Sequence, residues 1–131
     1  MARKAGVTVD HVLDAAARIA DRDGLQAVSL AAVAAVVGIR TPSLYAHVVG
    51  LAGLRRDLAR RAARQLSDRL QSAAEHEADP VAALRAVAYE YRTFAREHPG
   101  LYASLLPAPR ADRDPDGAAA AAEPVRVVAR A

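Results

Sequence analysis

Arg40, Thr41, Ser43, Tyr45 and His47 fall within one short stretch, and each carries hydrogen-bonding groups suited to a polyanion. A guanidinium can donate two parallel hydrogen bonds to a guanine edge. Hydroxyls and an imidazole can reach phosphate oxygens and fix register. This is the chemistry of recognition, not of bond-making. The chain has no cysteine, which excludes disulfides, thiolate zinc sites and thiol nucleophiles. No nucleophile is paired with a base, no glycine loop is shaped for phosphates, and no metal-ligand cluster is spaced along the sequence. His47 and His98 are not spaced for shared chemistry. The sequence therefore predicts neither an enzyme nor a bound cofactor.

Such residues read DNA only if a scaffold presents them, and the spacing around them supplies one. Thr8 is placed to cap a first helix, with Val9, Val12, Leu13, Ala16, Ile19 and Ala20 on one apolar face and Gly24 ending it. Leu25 to Val28 is expected as a short extended link. Ser29 then caps a second helix, Leu30 to Val37, which Gly38 ends. Thr41 followed by Pro42 starts a third short helix through about His47, since proline fits the first helical turn. Ala31, Ala32, Ala34 and Ala35 predict close approach of the second helix to its neighbours. Two short helices joined through a glycine, behind an amphipathic helix, form a helix-turn-helix over Ser29 to Val48.

A long fourth helix is expected from near Gly50 to about Ala74, with Leu51, Leu54, Leu58, Ala62, Leu66 and Leu70 along one stripe and arginines opposite. The arginines from Arg55 to Arg64 read as a solvated face. Asp79-Pro80 starts a fifth helix with Leu84, Val87, Ala88, Tyr91 and Phe94 on one face, and Tyr91, Phe94 and Tyr102 are expected in the core. His98-Pro99-Gly100 interrupts that helix, and a short sixth follows. Pro107 to Gly117 reads as a loop, and Ala118 to Ala131 as a further helix. The composition agrees: 53% hydrophobic residues with one Phe, four Tyr and no Trp suits packed helices better than sheets.

Residues 1–66 carry ten basic and five acidic side chains, and residues 67–131 carry eight and ten. A positive head on a slightly negative body fits a polyanion partner for the head alone. No apolar run approaches the ~18 residues of a membrane span, and no apolar core follows the basic Arg3-Lys4 start. A cytoplasmic protein without a membrane partner is the expectation.

The run Gly38-Ile39-Arg40-Thr41-Pro42-Ser43-Leu44-Tyr45-Ala46-His47-Val48 resembles the TetR family of bacterial repressors, as do Thr8, Ala15-Ala16, Gly24, Ser29 to Ala34, and Leu54. Phe94 to Tyr102 resembles, more loosely, the start of a TetR-type C-terminal body. The resemblance implies an all-α fold: a three-helix helix-turn-helix DNA-binding head at residues 6–66, then a partial helical effector and dimerisation body at 67–131. It implies that Ser29 caps the second helix and touches a phosphate. Arg40, Thr41, Pro42 and Ser43 would front the recognition helix, Tyr45 and His47 would hold phosphates, and Arg3 and Lys4 would add backbone or minor-groove contacts. It further implies a sequence-specific, ligand-responsive repressor that binds a palindromic operator on double-stranded DNA as a homodimer, released by a small-molecule effector. Leu51 and Val48 stand where the family usually has Lys and Phe. Family members usually run further, so the sequence reads as truncated in its body. A helical protein-interaction module with little DNA binding of its own is the alternative.

Overall fold

Residues 6–106 and 116 are described by a computed structural model. Arg3, Lys4, most of the loop expected at 107–117 and the helix expected at 118–131 lie outside the described residues. Among the described residues every regular element is helical: α1 (Val9–Asp23), α2 (Leu30–Val37), α3 (Gly50–Glu75), α4 (Pro80–Glu97) and α5 (Pro99–Ser104), with two 3-10 turns, Leu25–Ala27 and Thr41–Ala46.

The helix starts are set by side chains that satisfy amides left unpaired at an N-terminus. Thr8 Oγ1 accepts from His11 N–H at 3.2 Å, while His11 Nδ1 accepts from Thr8 N–H, a reciprocal box that opens α1. Ser29 Oγ accepts from Ala32 N–H at 3.0 Å to open α2, and Asp79 Oδ2 accepts from Ala82 N–H at 2.9 Å to open α4. Gly38 ends α2 in the left-handed region (φ 84°), where its N–H closes onto Ala34 O, and no L side chain sits easily there.

The core is one continuous cluster. Val12, Ala15, Ala16 and Ile19 of α1 meet Val33 of α2, Leu44 and Val48 of the turn region, Leu54, Leu58, Leu66 and Leu70 of α3, Val87 and Phe94 of α4, and Leu101 of α5. The stripe expected on the long helix is buried from Leu54 to Leu70, with Leu51 half-buried at its end. Residue 66, where head and body were expected to divide, lies inside α3.

Four expectations need correction. Leu25–Ala27 is not extended: it closes a 3-10 turn through Ala27 N–H to Gly24 O and Val28 N–H to Leu25 O, which tucks Leu25 and Ala27 against the core. Thr41–Ala46 is likewise a 3-10 segment instead of an α-helix. On α2, Val33 and Ala34 are buried and Ala32 is half-buried, while Ala31 and Ala35 face solvent. On α4 the buried line is Ala83, Val87 and Phe94, so Leu84, Ala88 and Tyr91 are exposed and Tyr102 is half-buried. The cause is geometric. Among the described elements α4 packs mainly on α3, with α5 at one end, so it buries a stripe narrower than its apolar surface.

Candidate nucleic-acid interface

The Thr41–Ala46 segment is too short to hold itself together. Beyond the bonds of its own winding, Ser43 N–H donates to Arg40 O at 2.9 Å, His47 N–H to Leu44 O at 2.8 Å and Val48 N–H to Leu44 O at 3.0 Å. What fixes it is Leu44, which is fully buried, and Val48 just beyond it. A 3-10 turn repeats every three residues. With Leu44 facing inward, Pro42, Ser43, Tyr45 and Ala46 are left exposed, and Thr41 is half-buried. Tyr45 is 63% exposed. Arg40 precedes the turn in an extended conformation and is exposed.

The structure therefore brings Arg40, Pro42, Ser43 and Tyr45 to one exposed element, with Thr41 at its edge. Ser29 is half-buried, and its hydroxyl is already committed to Ala32 N–H. His47 is half-buried and separates from Tyr45, because positions two apart on a three-residue turn do not share a face. It lines an open groove between α1 and α3 with Val9, Asp57, Arg60 and Arg64. Val49, 80% exposed, and Val36, 49% exposed, lie close in sequence to the reading turn. They carry no polar signal, and sequence reasoning passed over them.

The arginines of α3 divide into two sets. Arg61 is ion-paired with Asp14 of α1, and Arg60 lies 3.4 Å from Asp57. Arg69 is ion-paired with both Glu90 and Glu97 of α4 while its guanidinium lies 5.6 Å from the Phe94 ring centroid. Its burial opposes protonation, but the hydrogen bonds to Glu97 and Glu90 outweigh that and hold its pKa above the ordinary arginine value. Arg55, Arg56 and Arg64 are exposed. The solvated face thus holds for three arginines, while Arg60, Arg61 and Arg69 are engaged within the fold. Among the described residues no group of His, Asp or Glu could hold a metal ion, and no helix is long and apolar enough to cross a membrane.

Comparison with known proteins accords with this geometry. Residues 84–131 match the family model described as Tetracyclin repressor-like, C-terminal domain. The chain is 40% identical over 107 residues to an uncharacterized HTH-type transcriptional regulator, YobS, of Bacillus subtilis (strain 168), a match covering 81% of this chain and 55% of that protein. It is 33% identical over 131 residues to the HTH-type transcriptional regulator Rv0681 of Mycobacterium tuberculosis, covering 98% of this chain and 60% of that one. It is 40% identical over 103 residues to the HTH-type transcriptional repressor DrrR1 of Streptomyces coeruleorubidus, covering 75% of this chain and 35% of that one. The chain thus spans little more than half the length of the first two relatives. Among solved structures, a protein of unknown function from Rhodococcus sp. RHA1 superposes with a TM-score of 0.78 at 25% identity, covering 98% of this chain and 69% of that one. The TetR family transcriptional regulator PfmR from Thermus thermophilus shares the fold, with a TM-score of 0.66 at 22% identity over 96% of this chain and 71% of its own. Taken together, the comparisons support a TetR family regulator, with residues 84–131 similar to that family's C-terminal domain.

Proposed function

We propose that the protein is a sequence-specific DNA-binding transcriptional regulator, a repressor that responds to a ligand. One observation carries the reading: a turn pinned by a single fully buried leucine, Leu44, which exposes Pro42, Ser43 and Tyr45 beside an exposed Arg40. The names of the curated relatives, two regulators and one repressor, support it. Arg40 reads a guanine edge, Thr41, Pro42 and Ser43 face bases or phosphates, and Tyr45, His47 and Ser29 hold the phosphate backbone. Residues 6–66 act as the head, and residues 67–131 contribute to a regulatory body. The protein works in the cytoplasm as a homodimer on a palindromic operator, and a small apolar effector that favours the non-binding state releases it. It is not an enzyme.

The test is a binding series against salt. Displaced counterions make affinity for a duplex fall steeply as salt rises. Operator candidates from the adjoining intergenic DNA should bind with such a slope and more tightly than scrambled duplexes. Binding that is absent at low salt, or flat with salt, refutes the reading and leaves a helical protein-interaction module as the account.

A further inference from the structure

We propose that Asp21, His98 and Gly100 are positioning residues for DNA recognition, because they clamp the corner from which the supporting helix α2 departs. The inference rests on the DNA-binding reading above.

Asp21 lies in the last turn of α1, where the helix dipole disfavours a negative charge. Its carboxylate is compensated from elsewhere in the chain. Oδ1 accepts from Gly100 N–H and from Leu101 N–H, both at 2.9 Å, and Oδ2 lies 2.8 Å from His98 Nδ1. Those amides belong to the first turn of α5, whose own N-cap residue, His98, makes no side-chain cap bond. Asp21 thus supplies the cap of α5 from a helix 77 residues earlier. Gly100 lets the two helices meet so closely that a Cβ there would overlap the backbone carbonyl of Ala20.

The clamp lies directly upstream of the helix-turn-helix. After Asp21 the chain turns at Gly24, and the Leu25–Ala27 turn packs on α5 as well as on α1. Val28 is then buried, and Ser29 opens α2. α2 in turn packs against the reading turn. With the corner released, the reading turn keeps its Leu44 anchor but loses the fixed origin of its supporting helix. Positional errors of this kind weaken recognition while the fold survives.

The test uses the full 131-residue chain, four single variants and one double variant, measured by urea unfolding and by fluorescence anisotropy on an operator duplex. Asp21→Asn and Asp23→Asn make the same charge change two residues apart, but Asp23 pairs with exposed Arg22 outside the clamp. Among variants that circular dichroism shows to be folded, Asp23→Asn should bind as wild type or slightly tighter. Asp21→Asn and His98→Ala should each bind about three- to tenfold more weakly, and the pair combined should cost scarcely more than either alone, as expected for coupled sites. His98→Asn should recover most of the affinity, since its Nδ2 takes the place of the imidazole Nδ1. Equal binding by folded Asp21→Asn and Asp23→Asn overturns the proposal. So does a His98→Asn no better than His98→Ala, and that pair decides the matter if Asp21→Asn does not fold. Absence of salt-dependent binding in the wild type would instead overturn the DNA-binding reading, and this one with it.

Discussion

Leu44→Ala tests the claim that one side chain holds the reading element. Leu44 is fully buried and is the only buried residue of Thr41–Ala46. The substitution removes three carbons, and at ~0.8 kcal/mol each the lost transfer free energy is about 2.4 kcal/mol. The cavity left in the buried cluster adds to this unless the turn collapses into it, which places the total at about 3 kcal/mol, within the ~2–5 kcal/mol typical of buried leucines. The rest of what holds the turn is local: its own 3-10 winding, Ser43 N–H to Arg40 O, and His47 and Val48 N–H to Leu44 O. Much of the loss should therefore be local. Urea unfolding should show a lower midpoint with an unchanged slope, and affinity for an operator duplex should fall more than about tenfold even where the protein remains folded. Leu44→Met conserves volume and should cost less than ~1.5 kcal/mol with little effect on binding. Destabilisation under about 1 kcal/mol, or a folded Leu44→Ala that binds DNA as wild type does, would refute the anchoring argument.

Ser29→Ala should lose about 1 kcal/mol with the cap of α2. Ser29→Asp should keep the cap and the stability, yet weaken DNA binding by setting a carboxylate against the phosphate assigned to that position. Tyr45→Phe should weaken binding to all duplexes without altering the salt slope, because a neutral hydroxyl displaces no counterion. Arg40→Ala should relax preference at one base position, and unchanged specificity in a base-substitution series would remove that role. Arg69→Ala should cost about 1–2 kcal/mol in urea unfolding, since it breaks a half-buried double ion pair and a ring contact and leaves Glu90 and Glu97 unneutralised on one face of α4. The hydrogen bond to Tyr102, with burial adding to it, pushes the Tyr91 pKa up to about 12. The raised value favours the protonated fold, so its small contribution is present below about pH 10 and is lost as pH rises through about 12. An ultraviolet absorbance titration should show Tyr91 ionising late, and Tyr102→Phe should lower its pKa.

The sequence was most legible where the deciding contacts are local. Thr8, Ser29 and Asp79 each bond an amide three residues on, and Gly38 takes the left-handed conformation. Those features depend on neighbours within one helical turn, and residue type and spacing are enough to find them. The stripe from Leu54 to Leu70 was equally plain, because a long helix packed along its length must repeat its apolar positions. Of the residues offered for DNA contact, Arg40, Pro42, Ser43 and Tyr45 lie on one exposed element, but that element winds differently from the helix expected. Whether Thr41–Ala46 winds as an α-helix or a 3-10 turn depends on how Leu44 is seated in the buried cluster, and that cluster is built by other elements. The separation of His47 from Tyr45 follows from that winding. The exposed line Leu84, Ala88 and Tyr91 was misassigned for a related reason: apolar spacing reports which residues could be buried, and the number of neighbouring helices decides how many are.

Asp21 shows where a physical reading of the sequence could have gone further. His98-Pro99-Gly100 was legible as a helix break, and Asp21 as an acid near a helix end. Neither observation alone says more than that. Taken with the dipole rule, however, an acid in the last turn of α1 is a local cost that needs a donor from outside the helix. A break opening with proline exposes amides that need an acceptor, and a glycine directly after it permits the backbone approach that joins the two. Each site is unsatisfied in a way the other repairs. Unsatisfied local chemistry is thus a usable pointer to tertiary contact, and here it points to the contact by which α5 braces the corner between α1 and α2.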